Sequence, residues 1–148
     1  MFVLWRIISL SELLDILKVK PKEDRRYVHS VVYLAQDSGA IDRWYPDFCY
    51  TTHVFSLELE KDLQVLRTIT PDFGKRRLNE REIVWLRDFT DDRTMAPLLA
   101  ERVFSLRYGS ITTAPRLKKD VIKRLNESTE KYLSTKPVTA PPVGVAAQ

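Results

Sequence analysis

The sequence predicts a mainly α, α+β domain with five to six helices around one small β-hairpin and a flexible C-terminal tail. Three observations predict it. Apolar residues recur at three- and four-residue spacing through most of the chain, as in "SLSELLDILKV". A single stretch, "IDRWYPDFCYTTHV", is rich in aromatic and β-branched residues around a Pro-Asp turn. The 148 residues are 44% apolar and 30% charged, which suits one compact globular domain and is short for two.

The elements follow in order. "MFVLWRIISL" is apolar, short and interrupted by Arg6, so it predicts a first strand or buried lead-in with Trp5 on the core. It lacks the basic flank and cleavage site of a signal peptide and the length of a membrane span. A helix is expected from Ser9 or Ser11 to about Val19, burying Leu10, Leu13, Leu14 and Leu17, with Pro21 breaking it. In "RRYVHSVVYLAQDSG", helical spacing places Val28, Val31, Val32 and Ala35 inside, with Tyr27 and Leu34 at the edge. Lys22, Arg26, His29, Tyr33 and Gln36 fall opposite, and Gly39 suits the left-handed stop. Residues 41–54 read as a hairpin or wing, with Phe48–Thr52 as the clearest strand.

Ser56 then caps a helix to about Leu66, with Glu58 and Glu60 at its positive end and Leu59, Leu63 and Leu66 inside. Thr68–Thr70 suggests an edge strand, and Lys75, Arg76 and Arg77 a loop. Asn79 and Glu82 have the spacing of a capping box, opening a helix that buries Ile83, Val84 and Leu86. Pro97 suits the first turn of a fifth helix carrying Leu98, Leu99, Val103, Phe104 and Leu106, ended by Gly109. Thr113 and Pro115 open a sixth, with Leu117, Val121, Ile122 and Leu125 apolar. Residues 1–133 form the expected domain, and the Pro-rich residues 134–148 the expected disordered tail.

Catalytic chemistry finds little purchase. Four scattered glycines make no phosphate loop, and the lone Cys49 allows no internal disulfide, in keeping with a cytoplasmic protein. His29 and His53 have no partners at metal-ligand spacing, so no metal or cofactor is expected. Cys49 and His53 on one strand would lie about 13 Å apart, too far for a base to reach a thiol. A hydrolase using Cys49 or His29 is the minority reading.

Binding is better supported. From Met1 to Ser110 there are 17 basic and 17 acidic residues, so the net charge of +4 comes wholly from the C-terminal part. A stripe of Lys22, Arg25, Arg26, His29, Tyr33 and Gln36, with Arg43 in the wing, has residue types that contact phosphates and base edges. Arg116, Lys118, Lys119, Lys123 and Arg124 form the densest basic run. Each group reads equally as a solvated helix back, with Asp120 and Glu127 offered as intrahelical partners to Arg124 and Lys123. Trp44, Tyr45, Phe48, Tyr50 and Phe55 are of the kind that anchor protein interfaces.

Two segments carry a resemblance. "VHSVVYLAQDSG" and "THVFSLELEKDLQVL", separated by the aromatic hairpin, are similar to motifs of the YwgA-like family of small prokaryotic proteins, and more distantly to Panacea-type antitoxin domains. The similarity spans Leu10 to Leu66. Tyr33 and Gln36 take the places of the motif Tyr and Gln; Phe55 replaces a Tyr, while Ser56, Glu58 and Leu59 match. The family's Gly-Pro is His53-Val54 here, and its Lys is Ser30. The resemblance implies a winged-helix-like fold and regulatory, antitoxin or defence-type company. The expected function is that of a non-catalytic adaptor binding another protein subunit, with a homodimer possible and no membrane partner. A DNA- or RNA-binding winged-helix regulator is the alternative.

Overall fold

A computed structural model describes residues 2–69, 78–89, 92–109 and 117–134. The described residues form six helices and one antiparallel pair of two-residue strands. The architecture is therefore mainly helical with a small hairpin.

Helix α1 spans Phe2–Leu17: the helix expected from Ser9 or Ser11 starts earlier, and the stretch expected as a first strand or buried lead-in is its first half. Ile7, Ile8, Ser9, Leu10, Leu13, Leu14 and Leu17 are all buried, on more than one side of the helix. A continuous apolar run fits a buried helix as well as a buried strand, and here core surrounds it. The helix closes in a Schellman motif: the Lys18 N–H donates to the Asp15 carbonyl and the Val19 N–H to Leu14. Lys18 holds the left-handed position at φ 57°, and Val19 tucks in as the accompanying apolar contact.

Helix α2 spans Arg25–Ser38 and is entered through Asp24, itself left-handed at φ 45°. Asp24 does not cap the helix with its side chain: its backbone is left-handed rather than extended, and its carboxylate pairs with Arg93. Arg93 also donates to the carbonyls of Leu17 and Lys18 and lies over the Tyr27 ring at 5.4 Å. One arginine thus clasps the whole α1–α2 turn. Every residue from Tyr27 to Ala35 is buried, so α2 is the central helix, packed chiefly against helix α5 (Met95–Tyr108) and the Val54–Phe55 strand. Gly39 ends it at φ 81°, in the left-handed conformation that glycine adopts at no steric cost.

Strands β1 (Cys49–Tyr50) and β2 (Val54–Phe55) pair Cys49 with Phe55 and Tyr50 with Val54. They are shorter than the Phe48–Thr52 strand expected. Ser56 caps α3 (Leu57–Thr68), its hydroxyl accepting the Leu59 N–H at 3.1 Å. Thr68 belongs to that helix, so the edge strand expected from Thr68 does not start there; Thr70, Lys75, Arg76 and Arg77 lie outside the described residues. Helix α4 (Glu80–Phe89) opens on the reciprocal capping box: Asn79 Oδ1 accepts the Glu82 N–H at 2.9 Å, and Glu82 Oε1 accepts the Asn79 N–H at 2.7 Å.

Helix α5 is Met95–Tyr108, with Pro97 in its first turn, and α6 is Lys119–Ser134. Helix α6 closes over α5 and buries Leu125, Thr129 and Tyr132. Three residues expected inside are exposed instead: Val84 on α4, Leu106 on α5 and Ile122 on α6. Val84 faces away from Ile83 and Leu86, whereas Leu106 and Ile122 keep the register of buried residues but fall in the last turn of α5 and the first turn of α6. Thr113, Pro115, Arg116 and the tail residues 135–148 lie outside the described residues. Among the described residues no helix is long and apolar enough to cross a membrane.

Candidate functional site

The polar side chains of α2 are the natural place to look, and most of them turn inward. His29 is wholly buried. Its Nδ1 accepts the Ser56 N–H at 3.1 Å, which leaves the ring proton on Nε2 facing Glu60 Oε1 at 3.1 Å. Burial, opposed only in part by Glu60, holds the His29 pKa below its ordinary value. Burial works against ionised Glu60 too, but bonds from His29 and from Arg25 at 2.5 Å outweigh it, and its carboxyl sits below the usual range. The His29 ring stacks on Phe55 at 4.7 Å and meets His53 edge-on at 5.9 Å. Both ring nitrogens are therefore committed to holding α2 against the β2–α3 junction. Asp47 completes that junction, accepting from the Ser56 hydroxyl at 2.5 Å and the Glu58 N–H at 3.1 Å.

A second buried network surrounds Arg6. Its Nε donates to Asp62 at 2.8 Å, and its Nη1 to Glu58 at 2.9 Å and to the Trp44 carbonyl at 3.3 Å. The guanidinium lies 4.6 Å over the Tyr45 ring, whose hydroxyl donates to Asp62 at 2.7 Å. Nothing local in the sequence announced this pair, since its members stand 56 positions apart. The interruption of an apolar run by one arginine was the signal available.

These positions revise the sequence-based site. Of the proposed α2 stripe, only Lys22, Arg25 and Arg26 are exposed. Arg25 pairs with Glu60 and Arg26 with Glu101, both at 2.5 Å, so much of their charge is answered within the fold. Tyr33 is buried like His29. Gln36 is half-buried and spent on the backbone of Tyr45, accepting its N–H at 2.8 Å and donating to its carbonyl at 2.9 Å. Polar type suggested an outward face, whereas partners on other segments drew His29 and Gln36 in, and Tyr33 packs by its ring against Phe48 and Phe104. Trp44 and Tyr45 are core residues, which removes them as interface anchors, while Phe55 and Tyr50 are half-buried. Ser56 and Glu58 serve α3 and the Arg6 network. Arg43, Lys118, Lys119 and Lys123 are exposed, and Arg124 pairs with Asp92 on another element rather than along α6.

What reaches the surface is an aromatic edge between the hairpin and α5. Tyr33 lies 5.5 Å from Phe48 and 5.6 Å from Phe104, ring centre to ring centre. Phe104 in turn meets Tyr50 at 6.4 Å and Tyr108 at 4.6 Å. Tyr108 is 65% exposed. Beside it Arg107 grips Asp37 through Nε at 3.0 Å and Nη2 at 3.1 Å, and Tyr132 donates to the same carboxylate at 2.6 Å. The Tyr33 hydroxyl is buried without a hydrogen-bond partner.

Among the described residues no three His, Cys, Asp or Glu side chains are grouped to hold a metal ion. No family model matches this chain, and no curated protein or solved structure does.

Proposed function

We propose that this chain is a non-catalytic regulator or adaptor that acts by binding another protein, as a subunit of a larger prokaryotic assembly of regulatory, antitoxin or defence type. One observation carries the reading: the aromatic edge of Tyr50, Phe104 and Tyr108 breaks the surface between the hairpin and α5. Large aromatic side chains bury much area at little entropic cost, which is why they anchor interfaces. The resemblance to YwgA-like proteins supports the prokaryotic setting. Affinity purification of the tagged chain with quantitative mass spectrometry tests it. A stoichiometric co-purifying protein is expected, and Tyr108→Ala is expected to lose most of it. Retention of every such protein by Tyr108→Ala and Tyr50→Ala alike would sink the reading.

A second reading, a DNA- or RNA-binding regulator, is favoured by the exposed Lys118, Lys119 and Lys123, for which no carboxylate partner is found among the described residues. Phosphate contacts of this kind weaken steeply with salt. A gel-shift titration decides it: affinity that is unmoved by Lys119→Glu and by salt removes this reading.

A further inference from the structure

The two flanks of α6 are used differently by the fold. On one, Arg124 pairs with Asp92 and Lys131 with Asp88, tying the helix to the segment before α5 and to α4. On the other, Ile122, Asn126 and Leu133 recur at four- and seven-residue spacing, the pattern of a helix seam. Ile122 is 40% and Leu133 49% exposed, so nothing among the described residues covers this seam. Asn126 marks its middle, the side-chain oxygen taken by Arg102 of α5 at 3.1 Å. Helical geometry sets Lys123 and Glu130 along its outer border, and Asp120 off it. Lys123 and Glu130 are both exposed, and neither forms an ion pair among the described residues. The border therefore runs from basic to acidic along the helix. An identical helix laid antiparallel, about a two-fold axis level with Glu127, answers that order. Ile122 of each copy then meets Leu133 of the other, and Lys123 meets Glu130, each pair occurring twice by symmetry. Set parallel, the same face opposes lysine to lysine and glutamate to glutamate, which repels.

We infer that the Ile122–Asn126–Leu133 face of α6 is the contact surface of a homodimer, in which two copies pack their α6 helices antiparallel and pair Lys123 with Glu130 across the axis. The surface shares no residue with the aromatic edge, so it holds or fails independently of the adaptor reading.

Sedimentation velocity of the full chain across a range of concentrations is the test. A monomer–dimer equilibrium is expected, shifted toward monomer by added salt. Lys123→Glu alone and Glu130→Lys alone should each weaken the dimer about tenfold, since either change turns two attractive pairs into two repulsive ones. Both changes in one chain make every cross-axis pair opposite in sign again and should restore the dimer. An equimolar mixture of the two single variants should associate for the same reason, although neither does so well alone. Both positions are exposed, so these variants leave the core untouched. A chain that stays monomeric at every concentration overturns the inference, and so does a dimer indifferent to the single charge reversals. A doubly reversed chain as weak as either single variant overturns it as well, because only the antiparallel pairing predicts rescue.

Discussion

Replacing Arg6 with methionine tests whether the buried network is held together as a unit. The substitution keeps the long apolar stem and removes the guanidinium. Asp62 then loses its ion pair while its side chain remains only 6% exposed, retaining the Tyr45 hydroxyl at 2.7 Å as a bond. The Trp44 carbonyl loses a donor, and Glu58, 44% exposed, is free to turn to water. Removing one member of a buried pair costs about 3–5 kcal/mol, because the surviving charge stays buried and uncompensated. That is a large share of the roughly 5–15 kcal/mol available to a domain. With an m-value of about 2 kcal/mol/M, the urea midpoint should fall by about 2 M. Adding Asp62→Asn supplies the control. The amide still accepts from Tyr45 and carries no charge, so the double variant should regain about half of the loss. Equilibrium urea unfolding followed by circular dichroism reads both. A cost below about 1 kcal/mol for Arg6→Met, or further destabilisation by Asp62→Asn in that background, would refute the reasoning.

Acidification should destabilise the fold in a defined window. The folded-state pKa of His29 lies below 6.5, so the unfolded chain binds the extra proton first, and stability is lost as pH falls below about 6.5. Glu60, also depressed, extends the loss below about 4.5. His29→Gln should flatten the upper part of that decline, and a urea midpoint that rises between pH 6.5 and 5 contradicts the assignment. At the α1 terminus, Lys18→Gly should stabilise by about 0.5–1 kcal/mol, since glycine takes the left-handed position without steric cost. A melting temperature that fails to rise would mean the turn clasped by Arg93 carries no strain at Lys18.

The legible parts of the fold were the local ones. The Asn79–Glu82 box, the Ser56 cap and the Gly39 stop each depend on partners within a few residues, and each formed as the spacing predicts. The first half of α1 was obscured because a short, almost wholly apolar stretch has no period to tell helix from strand, and Arg6 looked like an interruption rather than a buried ion. The site was misread for a related reason. A helical wheel assigns polar residues outward, but His29 meets Ser56 and Glu60, 27 and 31 positions on. Trp44 and Tyr45 fill the core, and the aromatic residues that do reach the surface are split between the hairpin and α5, which no single window of sequence brings together.

The bond from Tyr132 on α6 to the Leu34 carbonyl joins positions 98 apart, and Trp85 packs edge-on against the same ring at 6.5 Å. During synthesis, therefore, α2 emerges long before the helix that covers its far end. Until residue 132 has cleared the ribosome, the nascent chain presents its central helix with one flank uncovered, and proper closure waits on that late tyrosine.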